Sequence, residues 1–246
     1  MKVRLQKAIG MTGVLSRRKA EEAISEGRVQ VNGSIITTLG TQVDTETDRI
    51  SLDGKPLSMT TTAEVWVFHK PTGCLTSKSD PHGRKTIYDY LPKLKHLHTV
   101  GRLDWDSSGL LLLCNDGVLT HTLTHPSFGV EKEYEVTLHR ALTPADEKAL
   151  NTAVPLHDGA GHFLSLKRSS QSSPTYHVVV EEGRNRFVRR MFEHFEYEVL
   201  SLKRIRFGKI ELASLKSGAS RHITEQEQRW LKEVASRSGN SGRALS

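Results

Sequence analysis

Cysteine is nearly absent from this chain: 246 residues hold two, Cys74 and Cys114, far apart and in no C-x-x-C spacing. That excludes a disulfide framework and points to a reducing compartment, with the cytoplasm as the expected location. Long apolar runs are also missing. The longest, Leu110 to Cys114, is far short of the roughly 18 residues a membrane helix needs, so no membrane partner is expected. No internal repeat at a fixed period is present. The 12 histidines are scattered, with neither an H-E-x-x-H pattern nor Cys–His ligand spacing, so no metal is expected. His121 and His125, four apart, read as polar residues on a short helix. The first twenty residues contain no acid. That composition faintly suggests a transit peptide, but the region divides into two helix-like pieces with a capping signal and reads as folded structure.

What is present suits two soluble domains. Hydrophobic residues make up 36% and charged residues 26%, and 35 Lys and Arg against 28 Asp and Glu leave a net charge of +7, which favours polyanionic partners. Residues 1–57 form the first unit. Val3, Leu5, Ala8 and Ile9 give a short apolar face, and Gly10 to Gly13 breaks it. Ser16 is a good N-cap for a helix with Ala20, Ala23 and Ile24 inward, stopped by Gly27. Val29 and Val31 then alternate toward Asn32-Gly33, and Ile50 and Leu52 run toward Asp53-Gly54, both dipeptides being strong hairpin signals. Arg17, Arg18 and Lys19 occupy the first turn of the second helix, where the dipole is positive and acids are favoured. A helix N-terminus already attracts phosphate, and three cations strengthen that attraction; the plainer alternative is a solvated charged face.

Ser58 to Ala63 reads as a linker. Residues 64–234 form the second unit, an α+β pattern with β-rich character: strand-like runs at 65–68, 110–113, 134–138, 176–180 and 199–202 alternate with helix-like stretches at 143–150, 186–195 and 225–234. Residues 235–246, rich in Ser, Gly and Arg, are expected to be a disordered basic tail.

Three constellations in the second unit could carry chemistry. His69-Lys70-Pro71-Thr72-Gly73 is a turn directly after a buried strand, putting Lys70 where it could reach a ligand; alone, it is an ordinary turn. In Gly101-Arg102-Leu103-Asp104-Trp105-Asp106-Ser107-Ser108-Gly109 an acidic loop feeds an apolar strand, so carboxylates sit at the rim of a core where their pKa can be tuned. Asp104 and Asp106 compete for a catalytic role, and spacing does not choose between them. Glu181-Glu182-Gly183-Arg184-Asn185-Arg186-Phe187-Val188-Arg189-Arg190-Met191 opens a helix with four arginines at or beside its first turn, again the wrong end for the dipole. Their rigid forks suit carboxylate or phosphate.

The stretch LQKAIGMTGVLSRRKAEEAISEGRVQVNG resembles the αL RNA-binding module first known from a small-subunit ribosomal protein. The resemblance implies a phosphate-gripping surface of Arg4, Lys7, Arg17, Arg18, Lys19 and Arg28. Over its whole length the chain resembles the rRNA pseudouridine synthases that carry an αL domain ahead of the catalytic domain. The match rests on KPTG at 70–73, GRLDWDSSGLLLLCNDG at 101–117, EKEY at 131–134, EGRNRFVRRM at 182–191 and LKRIRFG at 202–208. Ser107, Cys114 and Phe187 depart from residues common there; Phe187 could alter a contact to substrate or core.

That resemblance implies a small αL domain before a larger synthase domain built on a mixed or antiparallel sheet. It selects Asp104 as the catalytic carboxylate, puts Tyr134 against the target uracil, pairs Arg189 with Asp104, and sets Leu202 on the pocket floor. Lys70, Arg102 and Arg186 frame the substrate cleft. The implied reaction isomerises one uridine of ribosomal RNA, large subunit slightly favoured, after the base is flipped out. It adds no water and moves no electron, so no cofactor is expected. The expected partner is ribosomal RNA or a ribosomal-subunit precursor, met by a monomer. A non-catalytic RNA-binding assembly factor is the alternative, disfavoured by the presence of Asp104, Tyr134 and Arg189 together.

Overall fold

A computed structural model describes residues 2–58, 63–170 and 173–237, with only the backbone at Arg237. In the first unit β1 (Lys2–Arg4) leads directly into α1 (Leu5–Met11), and α2 (Arg17–Ser25) packs against it. Ser16 caps α2, its hydroxyl accepting from the Lys19 amide at 3.3 Å. β2 (Val29–Val31), β3 (Ser34–Ile35), β4 (Gln42–Asp44), β5 (Ile50–Leu52) and β6 (Lys55–Pro56) follow; β1 pairs with β4, and the others form a sheet in the order β3-β2-β5-β6. Both hairpin dipeptides take left-handed φ, Asn32 and Gly33 at 52° and 84°, Asp53 and Gly54 at 50° and 74°, as a two-residue turn with the twist of its strands requires. Leu5, Ala8, Ile9, Ala20, Ala23, Ile24 and Val29 close a small core.

The second unit is organised on one nine-stranded sheet. Its strands are β7 (Val65–Lys70), β8 (His98–Val100), β9 (Ser108–Cys114), β10 (Lys132–Leu138), β13 (Ser165–Arg168), β14 (Thr175–Val180), β15 (Val199–Phe207), β16 (Ile210–Glu211) and β17 (Ser220–His222). A separate hairpin joins β11 (Val154–Leu156) to β12 (Gly159–Gly161). The helices are α3 (Gly117–Thr124), α4 (Pro144–Leu150), α5 (Phe187–Glu193) and α6 (Glu225–Arg237). The main path runs β13-β14-β10-β15-β9-β7-β17, with β16 beside β15 and β8 beside β9.

β9 is buried on both faces, which explains its unbroken apolar run. Leu110, Leu112 and Cys114 join the core beneath α3 and α6, while Leu111 and Leu113 enter the opposite one with Phe68 and Tyr88. A third core lies under α5, where Val188, Met191 and Phe192 meet Val136, Tyr176 and Val178. Every pairing in the sheet is antiparallel except β9 with β15, which touch in parallel at only two positions, Ser108 with Lys203 and Gly109 with Arg204.

Two differences from the sequence reading concern segment ends. The expected linker lies mostly outside the described residues, at 59–62, but its last member, Ala63, is buried in the synthase core. The last helix continues past Val234 to Arg237, because Ala235 still packs against that core. The rest of the expected tail, 238–246, lies outside the described residues. No helix among the described residues is long and apolar enough to cross a membrane.

Candidate active site

The two-residue parallel joint sets the site. At Gly109, φ is +107° and an added Cβ would lie 2.2 Å from the Arg204 carbonyl oxygen, so only glycine lets the two strands come this close. The turn that enters β9 carries Asp104; β15 carries Leu202 and Arg204; neighbouring β10 carries Tyr134 and Lys132. Between Glu133 and Tyr134 the β10–β15 register shifts, a bulge of the kind that re-aims side chains beside functional sites. These elements and the start of α5 enclose a cavity of about 420 Å³. Arg102, Asp104, Tyr134, Arg186 and Leu202 all line it, as do Lys132 and Arg204.

The Asp104 turn is held from every side. The Leu103 carbonyl accepts from Thr76 Oγ1 at 2.7 Å, the Trp105 carbonyl from the Gly73 amide at 2.9 Å, and the Asp104 carbonyl from the Ser107 amide at 3.1 Å. Lys70 Nζ donates to the carbonyls of Asp104 and Ser107 at 2.9 Å each and of Pro71 at 3.0 Å. The Asp104 carboxylate itself has no hydrogen-bond or ion-pair partner among the described residues. A carboxylate left free on a clamped turn is available to a substrate and pre-positioned for it.

Lys70 and Arg189 therefore differ from the sequence reading. Lys70 is fully buried and absent from the cavity wall; it supports the turn from behind because its stem emerges from β7 beneath that turn. Burial pulls its ammonium below the ordinary lysine value, with Cys74, Asp104 and Asp106 opposing. Arg189 pairs with Asp106, not Asp104. Its Nη2 lies 3.1 Å from the Asp106 carboxylate and donates to the Asp106 carbonyl at 3.1 Å, while Nη1 donates to the Val199 carbonyl at 2.8 Å. The guanidinium bridges the start of β15 to the far end of the turn, where Asp106 is the carboxylate it meets. Asp104 still acts on Arg189 through space.

The arginines around the start of α5 divide by task. Arg186, in left-handed conformation at φ 49°, pairs with Asp106 at 3.3 Å on the cavity rim. Arg184 and Arg190 both clasp Asp158, at 2.8 Å each, and Arg184 adds the carbonyls of Gly159 and Ala160. These two fix the β11–β12 hairpin and hold the Asp158 carboxyl down to about 2. Their placement at the unfavourable helix end is thus partly structural. Phe187 is buried against Phe163 and also lines the cavity, so it belongs to the core and borders the cavity.

On the first unit, Arg4, Arg17, Arg18 and Lys19 are exposed and Lys7 is half-buried, and none of the five has an ion-pair partner among the described residues. Arg28 is different. It makes a two-pronged pair with Asp53 at 2.7 and 2.8 Å and another with Glu26 at 3.1 Å, because the Asp53-Gly54 turn brings a carboxylate against it. On the loop after β7, burial and then the charge of Lys19 lower the Lys78 ammonium.

Sequence reasoning missed Lys132 and Arg204, although the signal was present. Side chains two apart on a strand share a face, so Tyr134 implied Lys132 and Leu202 implied Arg204.

Comparison with known proteins agrees with this architecture. Residues 3–50 match the S4 domain family and residues 64–194 the RNA pseudouridylate synthase family. A ribosomal large subunit pseudouridine synthase B of Bacillus subtilis is 37% identical over 245 residues, covering 97% of this chain and 99% of that protein. The protein of the same name from Pseudomonas aeruginosa is 40% identical over 234 residues, 91% of this chain but 60% of its own length. A crystal structure of a pseudouridylate synthase superposes with a TM-score of 0.68 at 30% identity, covering 93% of this chain and 99% of the other. An S4 module followed by a pseudouridylate synthase domain makes this an RNA-modifying isomerase by class. The chain belongs to the RNA pseudouridylate synthase family.

Proposed function

We propose that this chain converts one uridine of large-subunit ribosomal RNA to pseudouridine, with Asp104 as the carboxylate that acts at the sugar. One observation carries the assignment: of the two carboxylates that line the cavity, Glu182 is taken by Arg184 and Asp104 has no partner among the described residues, with Tyr134 and Leu202 on the same wall. The names of the relatives, ribosomal large subunit pseudouridine synthases B, support the ribosomal substrate. The protein acts in the cytoplasm as a monomer on ribosomal RNA or a subunit precursor. Arg4, Lys7, Arg17, Arg18 and Lys19 grip phosphates away from the target, a role for which Arg28 is already committed to Asp53.

The reaction breaks N1–C1′, turns the uracil and joins C5 to C1′; the C5 proton leaves to water and N1 regains one. An ionised Asp104 can attack C1′ or take the C2′ proton, and either route keeps the uracil in the cavity. Tyr134 stacks on the base and Leu202 forms its floor. Arg102 and Arg186, at the rim, hold the flanking phosphates of a nucleotide drawn out of its stack, offsetting an unstacking cost of a few kcal/mol. Arg189 acts through Asp106: by fixing the end of the turn it fixes Asp104.

The test is release of tritium from ribosomal RNA labelled at C5 of uridine. Wild type releases it. Asp104→Asn abolishes release while RNA affinity stays within about 2-fold, since the carboxylate adds nothing to phosphate binding. RNA binding without release by wild type would instead identify an assembly factor.

A further inference from the structure

The cavity contains two cations that the proposed roles leave unused. Lys132 is 7% exposed and Arg204 3%. They come from adjacent strands, and both lie over the ring of Phe207, Lys132 Nζ at 5.8 Å and the Arg204 guanidinium carbon at 5.2 Å from its centre. Neither has a carboxylate within ion-pair distance among the described residues. Lys132 Nζ donates to the Glu181 carbonyl, and Arg204 Nε donates to the Leu110 carbonyl at 2.7 Å. Arg204 Nη2 is buried with no hydrogen-bond partner among the described residues. The nearby Glu182 carboxylate is taken by Arg184. Burial and then the charge of Arg204 push the Lys132 ammonium down to about 8, with Glu181 and Glu182 opposing.

Two adjacent buried cations without a counter-ion are costly, and folds keep such an arrangement where a ligand supplies the missing charge. In the proposed mode the substrate phosphates meet the exposed Arg102 and Arg186, whereas Lys132 and Arg204 are almost fully buried, so the charge they await is a different one. We infer that Lys132 and Arg204 form an anion hole for the departing base, stabilising the negative charge that the uracil ring acquires as N1–C1′ breaks. The electron pair of that bond goes to the ring and spreads over N1, O2 and O4, and the cations hold it while the base turns to present C5. Charge absent from bound uridine and present only during cleavage is what a preorganised electrostatic site can stabilise selectively.

This inference rests on the uridine-to-pseudouridine reading. The experiment is single-turnover kinetics of Lys132→Gln, whose amide can still donate to the Glu181 carbonyl, on two RNAs, one with uridine and one with 5-fluorouridine at the target. Fluorine makes the base a better leaving anion. Lys132→Gln should slow uridine conversion by about 10²–10³-fold with RNA affinity within about 2-fold. On 5-fluorouridine RNA, followed by loss of that nucleoside after digestion, the penalty should shrink at least 10-fold. Lys132→Arg, which keeps the charge, should recover most of the rate on uridine. An equal penalty on both substrates, or a rate within about 3-fold of wild type, overturns the anion hole. Inactive wild type on both RNAs would instead overturn the underlying reaction.

Discussion

Replacing Lys70 with Met tests whether this lysine is the support of the active-site turn. Methionine approximates the volume of the stem and removes only the three donated bonds, to Pro71, Asp104 and Ser107. Bonds from a charged donor are worth roughly 1.5–3 kcal/mol each. The gross loss is then about 4.5–9 kcal/mol, against which the variant no longer buries an ammonium, a relief of several kcal/mol. The Asp104 carbonyl keeps the Ser107 amide, so the turn loosens and does not collapse. A net destabilisation of about 2–4 kcal/mol follows, measured as a lower urea midpoint with unchanged slope. The catalytic consequence is larger, because displacing a reacting group by about 1 Å costs about 10² in rate. Tritium release should fall by that factor at saturating RNA, with RNA affinity unchanged. Wild-type stability together with wild-type kcat would refute the supporting role. Weakened RNA binding with an intact rate would show that Lys70 reaches the substrate after all.

Three further outcomes follow from the same geometry. Gly109→Ala puts a Cβ 2.2 Å from the Arg204 carbonyl oxygen at φ +107°, so it should cost more than about 4 kcal/mol and abolish activity; thermal unfolding reads this, and a shift within about 2 °C would contradict the close-approach argument. Changing Arg17, Arg18 and Lys19 together to Gln should flatten the plot of log affinity against log salt by about 2, at about 0.7–0.9 for each phosphate no longer neutralised, whereas Arg28→Gln should leave that slope unchanged. The pH dependence of Lys132 has a defined sign. Its folded value of about 8 lies below the ordinary 10.5, so between these values the unfolded chain binds the extra proton and stability rises with pH. Wild type should therefore gain up to about 3 kcal/mol between pH 8 and 10.5 relative to Lys132→Gln in paired urea titrations, and parallel curves would contradict it.

Much of the fold could be read from the sequence because its signals are local. The Ser16 cap, the two hairpin dipeptides and the apolar run of β9 each depend on a handful of neighbouring residues. Even the two-sided burial of β9 follows from its lack of alternation. What could not be read was partner choice between segments distant in sequence. Nothing in the GRLD or RNRFVRR stretches says that Arg189 meets Asp106 and not Asp104, since that depends on how far the start of α5 overhangs the turn. Arg28 was expected among the phosphate ligands because the αL-module resemblance implied it; the carboxylate that engages it arrives from a turn 25 residues later. Basic residues at helix starts are therefore ambiguous until the acids folded against them are known.

The site's composition follows from the one parallel contact in the sheet. Where β9 and β15 touch, two antiparallel blocks are fused, and the fusion point is short because only two residue pairs span it. The turn entering β9 must end there, which sets Asp104 at the mouth, and the inward positions of β15 and β10 must form the wall, which sets Leu202, Arg204, Tyr134 and Lys132 behind it. A residue on this wall has its neighbours decided by the joint and not by its own propensity. That is why the chemistry-bearing residues lie in separated stretches of sequence, and why Gly109, which carries no chemistry, controls the position of all of them. It also separates the two uses of positive charge. Cations on α2 and Arg102 at the cavity rim have no carboxylate partner among the described residues, while Lys132 and Arg204, fixed by the sheet, are buried on the cavity wall, where their proposed role is toward a base that has left its helix.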